Sequence, residues 1–214
     1  MKSKRTKIAV YAAIFLWLVV LVAGTTVFWR YENKSGVAAA APIEWPADSR
    51  IQRATDRSTL VMLVHPHCPC SRASMIEIAR LMARVEGRVT AYVIFIKPDG
   101  VDADWEKTDT WASAAKIPGV SVIRDEQGLE ARRFDAHTSG QTMLYDKNGK
   151  LLFSGGITLG RGQEGDSAGG AAIASLVEGE TSPLAETNVF GCPLFANDSE
   201  CRANKETSNA KPKR

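Results

Sequence analysis

Apolar residues fall along this chain in three patterns. Residues 8–29, IAVYAAIFLWLVVLVAGTTVFW, carry no charge and no polar face. At about 1.5 Å per residue the run makes a helix of roughly 33 Å, close to the hydrocarbon thickness of a bilayer. Further on come short unbroken runs, LVMLV (60–64), VTAYVIFI (89–96) and VSVIR (120–124). They are too short for helices and suit strands covered on both faces. Between the first two the period changes. Met75, Ile78, Ala79, Met82 and Val85 form one apolar stripe, with Ser74, Glu77, Arg80 and Arg84 opposite, which predicts a helix from about residue 70. Helices are also expected over 102–115, 126–134 and 168–178. QTMLYD (141–146) and KLLFS (150–154) flank Lys147-Asn148-Gly149, a hairpin signal.

The predicted order is therefore β-α-β-α-β-α-β-β-α behind an N-terminal apolar helix. Four basic residues in MKSKRTK precede that helix, and Trp29 and Tyr31 suit its far interface. The basic flank predicts a cytoplasmic N-terminus, a single-pass anchor through residues 8–29, and everything after it on the periplasmic or extracellular side. A cleaved signal peptide is the alternative; VAAAAP (37–42) offers a small-residue site, but charged RYENK separates it from the apolar run. The expected organisation is a flank and anchor over 1–30, a linker over 31–50, one folded domain over 51–195 and a disordered tail over 196–214. A net charge of +3, from 27 basic and 24 acidic residues, gives no reason to expect a nucleic-acid partner.

Chemistry concentrates in HPHCPC (65–70), where the first strand meets the first helix of the domain. Proline is favoured in the first turn of a helix, so Pro69 predicts Cys68 as the N-cap and Cys70 as the second helical residue. A thiolate at an N-cap faces free backbone N–H groups and the positive end of the helix dipole. His65, His67 and Arg72 add positive charge nearby, and together these conditions lower a thiol pKa. Cys68 is thus the expected nucleophile, with Cys70 to resolve the mixed disulfide. A structural or inert pair is the bland alternative. Of the four cysteines, Cys192 and Cys201 remain. They either pair with each other, as an even count outside the cytoplasm favours, or Cys192 acts at Cys68. GRGQEG (160–165) matches a dinucleotide-binding glycine pattern in letters only, because no βαβ unit surrounds it.

A strand running into a cysteine motif at a helix start, an inserted α-β-α and a closing hairpin and helix resemble the thioredoxin-like superfamily. Within it the chain resembles the membrane-tethered TlpA/ResA-type proteins and most of all the RedB-type group, on HPHCPCSRA (65–73), TSGQ (138–141), LYD (144–146), LLFSGGIT (151–158) and VFGCPLF (189–195). The resemblance implies an α/β thioredoxin-like fold, a central mixed sheet flanked by helices. It also implies thiol–disulfide exchange with protein thiols or disulfides, needing no cofactor. Two departures are visible. Thioredoxins carry Cys-x-x-Cys, so an alternative alignment puts His67 at the first cysteine and Cys70 at the second. The relatives' cis-proline is replaced by Gly140 or Gln141. His137, just upstream, is expected to approach the cysteines. That opens a rival reading, a copper-binding metallochaperone resembling the SCO type, with Cys68, Cys70 and His137 as ligands. A peroxiredoxin-type site is not expected, since no threonine stands three residues before either cysteine of the motif.

Overall fold

The computed structural model describes residues 2–195. It divides into two compact units, residues 1–34 and the remainder. The first is a helix, α1 (Lys2–Glu32), long and apolar enough over Thr6–Glu32 to cross a membrane. A cleaved signal sequence has the same signature. Cys201 and the tail 196–214 lie outside the described residues.

In the second unit the elements are β1 (Ser58–Val64), α2 (Ser71–Arg84), β2 (Val89–Lys97), α3 (Asp109–Ala114), β3 (Val120–Glu126), α4 (Leu129–Arg133), β4 (Gln141–Tyr145), β5 (Leu151–Gly155) and α5 (Ala168–Val177). The five strands form one sheet in the order β3-β2-β1-β4-β5. β1, β2 and β3 run parallel, and β4 and β5 are antiparallel. This mixed sheet with helices on both faces is the thioredoxin-like α/β fold.

The unbroken apolar runs follow from that arrangement. Side chains of β1 alternate between two cores: Leu60, Met62 and Val64 face α2, α3 and α5, whereas Val61 and Leu63 face α4. All five are fully buried. At about 1.5–3 kcal/mol for each large apolar side chain, β1 alone contributes on the order of 10 kcal/mol of burial, as an upper bound. The cysteine motif therefore leaves the sheet from its most firmly held strand.

Two expectations need correction. Residues 35–50 are not a free linker. Trp45 packs edge-on against Phe134 and Tyr145, with centroids 5.1 and 5.2 Å away. Backbone bonds tie the segment down, from Gly36 N–H to Val189 O at 2.8 Å and from Trp45 N–H to Gly149 O at 2.7 Å. The run of alanines is apolar enough to cover the α4 face of the sheet, and Ala39 and Ala41 do so. The helix expected over 102–115 shortens to α3, capped by the Thr108 side chain. Residues 102–107 form turns instead.

The hairpin turn follows from its residues. Asp146 Oδ1 accepts from the N–H groups of Asn148 and Lys150, both at 2.8 Å. Gly149 takes φ +90, which a residue with a Cβ adopts only under strain. Ahead of α4, the buried Asp125 carboxylate accepts from Glu130 and Ala131 N–H at 2.8 and 2.9 Å, satisfying donors the helix cannot.

Candidate functional site

Beyond Val64 the chain turns over residues 65–70 before α2 begins. Cys68 N–H donates to His65 O, and Ser71 N–H to Cys68 O, both at 3.1 Å. α2 starts at Ser71 with Cys70 as its N-cap, in helical backbone geometry and with no capping bond from its side chain. The expected frame, with Cys68 capping, is thus shifted by two residues. Pro69 sits in the lead-in turn, where its missing N–H is equally harmless.

Burial divides the thiols in an order the spacing did not suggest. Cys68 is 2% exposed, while Cys70 is half-buried. The third participant is Cys192, also half-buried and in no disulfide. Its N–H donates to Cys68 Sγ at 3.3 Å. Cys192 thus lies beside Cys68, while Cys201 falls outside the described residues.

Backbone bonds hold it there. Ser139 N–H donates to Cys192 O and Leu194 N–H to His137 O, each at 2.8 Å, and Thr138 and Pro193 form a β-bridge. Gly191 passes against the Ser139 carbonyl so closely that a Cβ would overlap it. VFGCPLF is therefore a short strap laid along the 138–140 loop, and its glycine is required by that approach.

These contacts set the acidities. The Cys192 and Cys70 thiols donate toward Cys68 and hold its pKa well below the ordinary thiol range, against the opposing effect of burial. The Cys192 N–H and Ser71 reinforce this. For Cys70, hydrogen bonding with Cys192 lowers the pKa, but the neighbouring Cys68 and burial outweigh it and the net direction is up. Cys192 is raised strongly, by Cys68 and then by Cys70.

The other expected site residues are distributed around this cluster. His65 is buried, and its Nδ1 accepts from His67 N–H at 3.2 Å. His67 Nε2 donates to Trp105 O at 3.0 Å. Arg72 is exposed and faces Asp109 at 3.7 Å. Gly140 takes φ +89 and donates its N–H to Leu63 O at 2.8 Å. Proline at 140 has no hydrogen to donate and cannot reach that φ, which accounts for its absence.

His137 does not join the thiols as the copper reading needs. Its Nε2 lies 3.0 Å from Asp135 Oδ1, and its ring is half-exposed. Among the described residues no group of three or more His, Cys, Asp or Glu is arranged to hold a metal ion.

Three contributors carried no sequence signal of their own. Ser139 Oγ accepts from His65 N–H at 2.9 Å and bonds Ser71 Oγ at 3.0 Å, linking the motif, α2 and the 138–140 loop. Trp105 packs edge-on against His65 and at a tilt against His67, with centroids 5.4 and 4.5 Å away, on one side of the turn. Glu77, read as part of the solvated face of α2, is buried and accepts from Gly165 N–H at 2.9 Å while pairing with Arg80. That contact draws the Gly-rich loop onto α2.

No family model and no curated protein matches the sequence. Solved structures do. An uncharacterized conserved protein from Geobacillus kaustophilus aligns at 20% identity and TM-score 0.56, covering 78% of this chain and 94% of that one. A hypothetical protein from Sinorhizobium meliloti 1021 aligns at 17% identity and TM-score 0.57, covering 77% and 95%. A pneumococcal exposed lipoprotein thioredoxin from Streptococcus pneumoniae aligns at 14% identity and TM-score 0.44, covering 65% and 99%. At these identities the likeness of the first two shows the fold.

Proposed function

We propose that this protein is a membrane-anchored thiol–disulfide oxidoreductase whose Cys-Pro-Cys motif exchanges disulfides with protein partners outside the cytoplasm. The observation that carries the reading is the environment of Cys68. Its sulfur receives the Cys192 N–H at the lead-in to α2, and its thiol is held well below the ordinary thiol pKa by the neighbouring Cys192 and Cys70. Hydrogen-bond donors and a helix start stabilise a thiolate, the species that attacks or leaves in disulfide exchange. Inert core cysteines have no such surroundings. The division of exposure fits the same chemistry. Cys68 is buried, while Cys70 and Cys192 are the half-buried cysteines beside it.

The apolar helix α1 and the basic residues before it support a tether with the domain outside, where disulfides persist. The test is exchange by the full chain in detergent micelles. Equilibrated in glutathione redox buffers, it should gain and lose one disulfide reversibly and catalyse reduction or oxidation of a model protein disulfide. Cys68→Ser should abolish both. Unchanged catalysis by Cys68→Ser would refute the reading. For the side of the membrane, a reporter fused after Arg214 should be active only outside the cytoplasm.

A further inference from the structure

We infer that Cys192 is the disulfide partner of Cys68, so that the oxidised protein carries a Cys68–Cys192 bond across the strap and leaves Cys70 as a free thiol. This rests on the oxidoreductase reading and says which sulfurs carry it.

Proximity is the first ground. Cys192 N lies 3.3 Å from Cys68 Sγ. With an N–Cα bond of about 1.46 Å, the Cys192 Cα lies within roughly 4.8 Å of that sulfur, compatible with ordinary disulfide reach. The strap is already fixed at this distance by the Ser139–Cys192 and Leu194–His137 backbone bonds and by the close pass of Gly191.

The second ground is the cost of the alternative. Cys68 and Cys70 stand two residues apart in a turn, with Cys70 at φ −68 and ψ −21 and the Ser71 N–H bonded to Cys68 O. Joining them strains the bond or opens that turn.

The third ground is access. Cys68 is sealed from solvent, so a partner sulfur must enter through a half-buried cysteine, and Cys192, like Cys70, is one. A partner thiolate attacks Cys192 Sγ. The Cys68–Cys192 bond breaks, and its electron pair leaves on Cys68 Sγ, held by the Cys192 N–H and Ser71. The partner's second thiolate then attacks its own sulfur in the mixed disulfide and releases Cys192, which takes one proton. The other proton goes to solvent. In sum a partner dithiol is oxidised to a disulfide, and the protein disulfide is reduced to one thiolate and one thiol. A protein disulfide runs the same steps backward to restore the bond.

The test is bond mapping in the full chain in detergent micelles. The protein is oxidised with glutathione disulfide, quenched in acid, alkylated, digested with pepsin at low pH to prevent exchange, and read by mass spectrometry. The expected product is a linked peptide pair joining Cys68 to Cys192, with alkylation lost at both and retained at Cys70. Cys192→Ser should lose the disulfide at the buffer potential that half-oxidises the native protein, with an unchanged melting temperature in the reduced state showing that it folds. A Cys68–Cys70 linkage, or one between Cys192 and Cys201, would overturn the inference while leaving the oxidoreductase reading standing. Formation of no disulfide at any potential would sink both.

Discussion

Replacing Gly191 by alanine tests whether the strap controls the chemistry of Cys68. The added Cβ would overlap the Ser139 carbonyl oxygen, so strap and loop must part. Two consequences can be sized. The Ser139–Cys192 and Leu194–His137 backbone bonds weaken, and at a net 0.5–1.5 kcal/mol each their loss destabilises the fold by about 1–3 kcal/mol. The Cys192 N–H also withdraws from Cys68 Sγ. A hydrogen bond to a charged group contributes about 1.5–3 kcal/mol, and 1.36 kcal/mol corresponds to one pKa unit, so the Cys68 pKa should rise by roughly one to two. The assay is the ultraviolet absorbance of the thiolate, followed against pH in the reduced protein, with Cys68→Ser as the blank. Titration of Gly191→Ala at the same pH as the native protein would show that the strap does not hold the thiolate. The same shift in Ser139→Ala, which keeps the backbone bond to Cys192, would place the control in Ser139 Oγ instead.

Stability of the reduced protein should depend on pH in a way that Cys68 sets. A depressed folded pKa favours folding above the unfolded value and loses that contribution as pH falls through the folded value. Urea unfolding should therefore show stability rising by at most about 1.4 kcal/mol per pH unit up to the unfolded thiol pKa of about 8.5, a rise that Cys68→Ser removes. Beyond that point Cys70 and Cys192, both raised, stay protonated while the unfolded chain ionises, so stability should fall again; a flat native profile would contradict the assigned directions. Gly140→Pro forces a φ of +89 toward about −65 and removes the bond to Leu63 O, which should lower the urea-unfolding free energy by roughly 2–4 kcal/mol. His137→Ala should leave the thiol–disulfide potential unchanged, because the ring engages Asp135 rather than sulfur. Copper(I) retained against a strong chelator and lost in His137→Ala would favour the metal-binding reading instead.

Much of this protein is local in origin and so was legible in the sequence. The uncharged N-terminal run, the continuous apolar strands, the 3.6-residue stripe of α2 and the Asp-Lys-Asn-Gly turn each follow from neighbouring residues. They yielded the element order and hence the thioredoxin-like topology. Cys68 and Cys70 were visible for the same reason, as two thiols beside a proline at a strand end. What tertiary structure alone decided involves residues far apart in the chain. The position of Cys192 against Cys68 spans a sequence separation of 124 and depends on backbone pairing between the strap and the 138–140 loop. No periodicity encodes that pairing. Exposure was likewise undetermined: the turn before α2 buries Cys68 beneath Cys192, where an N-cap would have displayed it. The bond from His67 N–H to His65 Nδ1 and the diversion of Arg72 and His137 to carboxylates arise from partners that spacing does not reveal. A side chain's residue type states what it can donate or accept, and only the assembled fold determines which atom it meets.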